Sequence, residues 1–229
     1  MAEQSGKKFF KKRPVYWTAI LLLFTVLIFS LLFAVTIGSS RIPLNDVYHV
    51  IFYKIWGIGD TAIGEGKIHD GVWFIRLPRL ILAAAIGMSL SICGVVMQAI
   101  VKNPLAEPYV LGISSGASLG ATLSIMLGVG VAFGPNYVGV MACLGAFAIS
   151  IGVVTLSNIG GRATSVKLLL AGMALSSLCS AFSNFIVYFS NDQDGMKTVS
   201  YWMMGSLGGA SWENNAIVVP ISILGVLFF

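Results

Sequence analysis

Long apolar runs, separated by short segments rich in polar residues, proline and glycine, set the pattern of this chain. A helix needs about 20 apolar residues to cross the hydrocarbon core of a bilayer, and several runs reach that length. The stretch from Pro108 to Gly161 is too long for one crossing, and Gly134-Pro135-Asn136 divides it into two. We therefore predict an all-α, polytopic membrane helical bundle of about six transmembrane helices, at 15–37, 79–101, 109–131, 138–157, 168–190 and 214–229.

The segment 41–78, between the first two predicted helices, carries a different pattern. Its apolar side chains recur at helical spacing, at Leu44, Val47, Tyr48, Ile51 and Ile55. Pro43 suits the first turn of such a helix. We expect a short amphipathic helix that lies on the outer surface of the membrane.

Composition strengthens the membrane assignment. Hydrophobic residues make up 57% of the chain and charged residues only 10%, with a mean hydropathy of +0.89. A soluble domain carries about 25% charged residues, so this chain cannot cover itself with a polar surface. The segment 1–14 is basic, which by the positive-inside rule predicts a cytoplasmic amino terminus rather than a nucleic-acid site. Residues 15–229 then form a single transmembrane domain.

Few residues offer covalent or metal chemistry. The three cysteines are isolated in apolar runs, and the sequence contains no metal-ligand, nucleophile-elbow or phosphate-loop motif. No ionisable residue lies in the middle of a predicted helix, where ion-coupled transporters normally keep one. We expect no catalytic residue, no metal site and no cofactor. Two alternatives stay open: an ion-coupled secondary transporter, and a membrane-embedded enzyme that uses His49, His69 and Asp70 or a site outside this sequence.

Small residues recur at every fourth position in two predicted helices. In the third helix they are Gly112, Gly116 and Gly120, and in the fifth they are Gly172, Ser176, Ser180 and Asn184. Such stripes allow helices to pack closely or line the path of a solute. Both interpretations stay open, and packing is the stronger one for the glycines.

A polar, proline-containing segment, Lys102–Glu107, joins the second and third predicted helices. Pro104 and Pro108 lack backbone donors, and each disfavours helix in the residue before it. Backbone outside a helix is tolerated at membrane depth only where protein or a water-filled cavity surrounds it. We predict a tight turn at the inner face of the membrane, with a role beyond helix packing.

A long stretch of the chain resembles a known family. The run RLPRLILAAAIGMSLSICGVVMQAIVKNPLAEPYVLGISSGASLGA, from Arg76 to Ala121, is similar to the permeases of ABC importers for iron–siderophores, haem and vitamin B12. The segments LLLAGMAL (Leu168–Leu175) and WMMGSLGGASW (Trp202–Trp212) follow in the family's order. The matches therefore extend from Arg76 to Trp212 in one register.

The resemblance implies a permease subunit that forms the translocation path for an iron–siderophore or a related metal chelate, such as haem or cobalamin. It implies several partners: a second permease in a homo- or heterodimer, two cytoplasmic ATPase subunits and an extracytoplasmic solute-binding protein. The location implied is the lipid bilayer of the bacterial inner membrane, with no nucleic acid involved. A separate ATPase agrees with the absence of a phosphate-loop motif in this sequence.

The resemblance also implies roles for particular residues. Arg76 and Arg79 are expected to dock the binding protein at the outer face, through glutamates of that protein. The expected cytoplasmic gate consists of residues from two turns, Asn103, Pro104, Leu105, Glu107, Thr164 and Ser165. Ser176, Ser180 and Asn184 become candidates for the lining of the path.

The sequence departs from the family in length. Members have about ten membrane spans, whereas this sequence stops within the sixth predicted helix, at Phe228-Phe229. We expect it to be the amino-terminal part of such a permease, as a fragment of a longer protein or a truncated gene product. The family's segments that grip the ATPase follow that helix, so a chain of this extent alone is not expected to couple ATP hydrolysis to transport.

Overall fold

The computed structural model describes residues 13–38, 42–57, 66–104 and 106–229. All regular elements in these ranges are helical, which confirms the predicted all-α fold. The eight helices are α1 (Arg13–Thr36), α2 (Leu44–Trp56), α3 (Lys67–Val101), α4 (Ile113–Leu127), α5 (Tyr137–Asn158), α6 (Ser165–Phe189), α7 (Gln193–Met204) and α8 (Trp212–Phe228). Short 3₁₀ turns occur at Pro108–Leu111 and Val131–Phe133.

Six of the described helices are apolar, as the hydrophobic runs predicted. Four of them, α1, α3, α5 and α6, are long and apolar enough to cross a membrane, while α4 and α8 are shorter. Large apolar side chains are exposed along these helices, for example Leu21 (68%) and Phe29 (68%) on α1. Since a soluble protein rarely exposes large contiguous apolar surface, this exposure agrees with a protein that lies in a membrane.

The described residues form two compact units. The first contains the described residues up to Ala85 together with Leu207–Ile221. Its core consists of Val35, Val47, Val50 and Val72, against which Ile42, Ile51, Leu77 and Leu80 pack. The predicted amphipathic helix is present as α2, and its Tyr48 hydroxyl donates to the carbonyl of Leu32 in α1 (3.2 Å).

The second unit contains Ile86–Ser206 and Ser222–Phe229. Here α4, α5 and α6 pack together, and α7 packs against α4. A second buried cluster, of Met97, Val101 and Ala106, lies next to Leu111 and Leu169. Ser89 and Ser222 share a hydrogen bond of 2.8 Å that joins α3 to α8 within this unit.

Two helical segments were not predicted. Helix α3 begins at Lys67 rather than near residue 79, and it contains a π-helical turn at Gly71–Arg76. That turn precedes Pro78, whose ring clashes with a carbonyl one turn earlier in a regular α-helix. Helix α7 was also missed because it is short and contains polar residues. Asp192 caps its amino-terminal end, because the carboxylate accepts from the amides of Asp194 and Gly195, both at 3.1 Å.

Candidate functional site

The two arginines beside Pro78 lie in different environments. Arg79 is exposed, whereas Arg76 is only 9% exposed. Nη1 of Arg76 donates to the carbonyl oxygens of Val35 and Thr36, each at 3.0 Å. These carbonyls belong to the last turn of α1, where helix carbonyls lack partners within the helix and carry partial negative charge. Arg76 therefore stabilises the carboxyl end of α1, a contact that the sequence did not reveal.

Gly38 makes room for the Arg76 side chain. A Cβ atom added at Gly38 would lie 2.6 Å from Nη2 of Arg76 and 2.7 Å from its Cζ, which is closer than such atoms approach. The guanidinium thus lies directly against the backbone that follows α1. No spacing pattern in the sequence singled out Gly38.

Arg76 and Arg79 also line a cavity of about 150 Å³ within the first unit. The other lining residues come from the end of α1 and the first part of α3, and they are Ala34, Ile37, Gly38, Gly71, Ile75 and Leu80. The cavity thus combines two guanidinium groups with an aliphatic wall. No acidic residue is among the lining residues that the structure describes.

The start of α8 contacts the same part of α3. The indole of Trp212 donates to the carbonyl of Trp73 (2.9 Å), and the two ring centroids are 5.0 Å apart. The buried side-chain amide of Asn215 donates to the carbonyl of Pro78 (2.9 Å). Trp212 lay within a segment that resembled the family, but neither contact was predicted. Together they fix the segment that presents the arginines.

In the second unit, the polar turn after α3 contains both exposed residues and a buried one. Asn103, Pro104 and Glu107 are exposed, and Leu105 lies outside the described residues. Ala106 is buried, and its amide donates to the carbonyl of Asn103 (3.1 Å). The predicted turn is therefore present, and its polar side chains are exposed at the protein surface.

The second predicted gate segment lies next to this turn. Thr164 caps α6, because its hydroxyl accepts from the amide of Lys167 (3.3 Å), and Ser165 is the first residue of that helix. Leu169, in the next turn of α6, packs against the cluster that contains Ala106. Two segments that are about 60 positions apart in the sequence thus meet at one end of the unit.

We expect Thr164→Val to lower the free energy of unfolding by about 1 kcal/mol, because the helix loses its side-chain cap. Thr164→Ser should keep wild-type stability. The measurement is thermal unfolding of the purified chain in detergent. Thr155→Val is the matched control, since that exposed hydroxyl only contacts a carbonyl of its own helix. Equal stability of Thr164→Val and Thr155→Val would contradict the capping role.

The glycine stripe of α4 is a packing face. A Cβ atom at Gly116 would lie 2.7 Å from the carbonyl oxygen of Gly145, and one at Gly120 would collide with the carbonyl oxygen of Met141. At Gly112 it would lie 2.7 Å from Oγ of Ser176. The glycines therefore allow the backbone of α4 to approach α5 and α6 of the same chain.

The stripe on α6 divides into two parts. Gly172 is buried and Ser176 is partly buried, and both lie next to Gly112. Ser180 and Asn184 are exposed. The first part therefore contributes to helix packing, while the second is accessible to a solute or a partner.

The residues of the enzyme alternative do not assemble a reactive group. Nδ1 of His69 is 3.1 Å from Oδ1 of Asp70, but the buried Nε2 has no hydrogen-bond partner in the described part of the chain. His49 is exposed on α2. An imidazole oriented by a carboxylate activates a nucleophile through its other nitrogen, and none of the described residues is such a partner for Nε2 of His69. Nor do the described residues contain a group of three or more His, Cys, Asp or Glu that could hold a metal ion.

Comparison with known families shows to which family this chain belongs. The sequence model of the FecCD transport family matches residues 26–229. The chain belongs to the FecCD transport family. The match covers the second unit and the first unit from residue 26 onward, and it therefore includes the arginine cavity and both turns.

Individual relatives agree with the FecCD assignment. The chain is 34% identical to a Methanocaldococcus jannaschii protein named as an ABC transporter permease, over 99% of this chain and 63% of that protein. It is 38% identical to the vitamin B12 import system permease protein BtuC of an Escherichia coli strain, over 71% of this chain and 48% of BtuC. The chain thus spans about half to two thirds of the length of these relatives.

A solved structure of a metal-chelate type ABC transporter in an inward-facing conformation shares the fold of this FecCD chain. The TM-score is 0.70 at 24% sequence identity, and the match covers 90% of this chain and 59% of the other. The helical arrangement of the FecCD chain is therefore one that a membrane transporter adopts.

Proposed function

We propose that this chain forms part of the transmembrane permease of a binding-protein-dependent ABC importer. The observation that carries the proposal is the FecCD family match over residues 26–229. The six apolar helices support a place in the membrane. No observation favours an ion-coupled transporter or an enzyme over this function.

The substrate that we propose is a large metal–organic chelate. One relative is named for vitamin B12 import, and the solved structure with the same fold is of the metal-chelate type. An iron–siderophore, haem and cobalamin all belong to this chemical class. We propose the iron–siderophore first, with cobalamin and haem as the ligands to compare directly with it.

The proposed cytoplasmic gate consists of the two turns that meet beside Ala106 and Leu169. Asn103, Pro104 and Glu107 are assigned to one side, together with Leu105, which lies outside the described residues, and Thr164 and Ser165 are assigned to the other. The packing of Leu169 against the Ala106 cluster supports this grouping. The exposed side chains of Ser180 and Asn184 are the candidates for the lining of the path.

The proposed docking site for the solute-binding protein is at Arg79. Its exposed guanidinium can form a bidentate pair of hydrogen bonds with a carboxylate. Arg76 belongs to the same proposed site. The contacts of Arg76 with Val35 and Thr36 support a role in positioning the segment that carries Arg79, rather than direct contact with the binding protein. The basic amino terminus would then lie in the cytoplasm of a bacterial cell, with the docking face outside.

The proposed energy source is a pair of cytoplasmic ATPase subunits that act on a permease dimer. The absence of a phosphate-loop motif from this sequence agrees with ATP binding to another subunit. We place the contacts with the ATPase in the part of the relatives that this chain does not match.

The test uses the full-length permease that contains this chain, reconstituted with its binding protein and ATPase. We expect Arg79→Glu to weaken binding-protein affinity about tenfold or more, a loss of about 1.4 kcal/mol, and to abolish ligand-stimulated ATP hydrolysis. Lys54→Glu is the control, since Lys54 is also exposed in the first unit. Wild-type affinity of Arg79→Glu would remove the docking role, and failure of any ATPase to associate would overturn the importer function.

A further inference from the structure

The cavity at the end of α1 has the composition of an oxyanion site. Two of its lining residues, Arg76 and Arg79, are cationic, and none of the described lining residues is acidic. A guanidinium group presents its N–H donors in a planar fork that matches the oxygens of a phosphate. The cavity volume of about 150 Å³ gives room for a group of that size.

The rest of the cavity wall is apolar. Ala34, Ile37, Ile75 and Leu80 supply aliphatic surface beside the two arginines. A small, fully hydrated anion gains nothing from such a wall, whereas a phosphate that carries a hydrocarbon group does. The mixed lining therefore favours an amphiphilic ligand.

The surface that leads away from the cavity is also apolar. Phe29 and Phe33, in the last two turns of α1, are 68% and 65% exposed. About ten helical residues cover one leaflet at 1.5 Å per residue. A lipid chain that lies along this part of α1 would bring its headgroup to Ile37 and Gly38, which line the cavity.

We propose that this cavity binds the phosphate of a membrane phospholipid. When no binding protein is docked, the exposed guanidinium of Arg79 contacts the phosphate oxygens, and Arg76 adds positive charge to the wall while its Nη1 donates to the carbonyls of Val35 and Thr36. The aliphatic wall contacts the glycerol region, and the acyl chains follow α1. The planar N–H donors of a guanidinium match the oxygens of a lipid phosphate.

The test is native mass spectrometry of the purified chain in detergent, with phosphatidylglycerol as the probe. Diacylglycerol with the same acyl chains lacks the phosphate, and inorganic phosphate lacks the chains. We expect one phosphatidylglycerol to bind at least tenfold more tightly than diacylglycerol, and excess inorganic phosphate not to displace it.

Three variants test whether the lipid occupies this cavity. Arg79→Gln should weaken phosphatidylglycerol binding at least fivefold, because it removes the exposed guanidinium. Ala34→Leu should weaken it as strongly, because it fills the cavity and leaves both arginines in place. Lys54→Gln, which removes an exposed cation from the same unit outside the cavity, should bind as the wild type does.

Two results would overturn the proposal. Wild-type lipid binding by Ala34→Leu and Arg79→Gln would mean that the lipid does not occupy the cavity. Displacement of the lipid by inorganic phosphate at equal concentration would make the site one for a free anion. Neither measurement needs a binding protein or an ATPase, so the outcome is independent of the proposed transport function.

Discussion

Replacing Gly120 with leucine is expected to lower the free energy of unfolding by about 3 kcal/mol, because overpacking a well-packed interior typically costs about 1–3 kcal/mol. Even a single added carbon would collide with the carbonyl oxygen of Met141. That obstacle is helix backbone, which cannot rotate away as a side chain can. Thermal unfolding of the purified chain in detergent measures the effect.

Gly139→Leu is the matched control for this prediction. Gly139 lies on α5, the helix that Gly120 contacts, but apart from the adjacent backbone of α5 no heavy atom lies within 4 Å of a Cβ added there. We expect this variant to unfold at the wild-type temperature. If the two leucine variants were equally stable, the close approach of α4 and α5 would not be what stabilises this unit.

Replacing Arg76 with methionine is expected to lower the free energy of unfolding by about 3 kcal/mol. The substitution retains a long side chain but removes the donors to the carbonyls of Val35 and Thr36. A hydrogen bond to a charged group contributes about 1.5–3 kcal/mol, and a buried carbonyl that loses its partner adds a desolvation cost. The same unfolding measurement in detergent gives the loss.

Arg79→Met is the control, because it removes an exposed guanidinium from the next turn of the same helix. We expect its stability to match that of the wild type, since surface substitutions usually change stability by less than about 0.5 kcal/mol. The two variants therefore separate the structural role from the docking role. Equal stability of Arg76→Met and Arg79→Met would show that the contact with α1 contributes little.

Much of the fold was predictable from hydrophobicity. An apolar helix lies at each of the six predicted positions, and four of the six are long enough to cross a membrane, with ends that differ by several residues at some positions. The largest differences are α3, which starts at Lys67, and α4, which is confined to Ile113–Leu127. Glycines with positive φ, Gly112 and Gly128, border α4 and explain its shorter length. Hydrophobic runs locate the hydrocarbon crossing, but helix ends depend on such local conformations.

Helix α7 shows what hydrophobicity does not detect. Its 12 residues include charged and polar side chains, so no run of membrane length exists there. A sequence signal was available in Asp192, which stands at the cap position and accepts two backbone amides. A capping residue such as Asp192 therefore indicates a helix where hydrophobicity alone does not.

The sequence was enough to predict where the candidate site residues lie in the chain, but not which residues they contact. The resemblance selected Arg76 and Arg79 together, since both belong to one short motif. The structure separates them, because α1 ends beside Arg76 and leaves Arg79 exposed. Likewise, the glycines of α4 fitted both packing and a solute path until their neighbours on α5 and α6 were known. The roles in docking and gating stay predictions.

The sequence by itself determined that this is a helical membrane protein of the FecCD family and where its apolar helices lie. The physical reason is local: backbone polar groups in lipid must be paired within each segment, so an apolar run of sufficient length becomes a helix whatever surrounds it. The tertiary structure decided which arginine is buried, which glycines are packed and which turns meet. Those outcomes depend on contacts between residues about 20 to 140 positions apart, and no short pattern in the sequence encodes them.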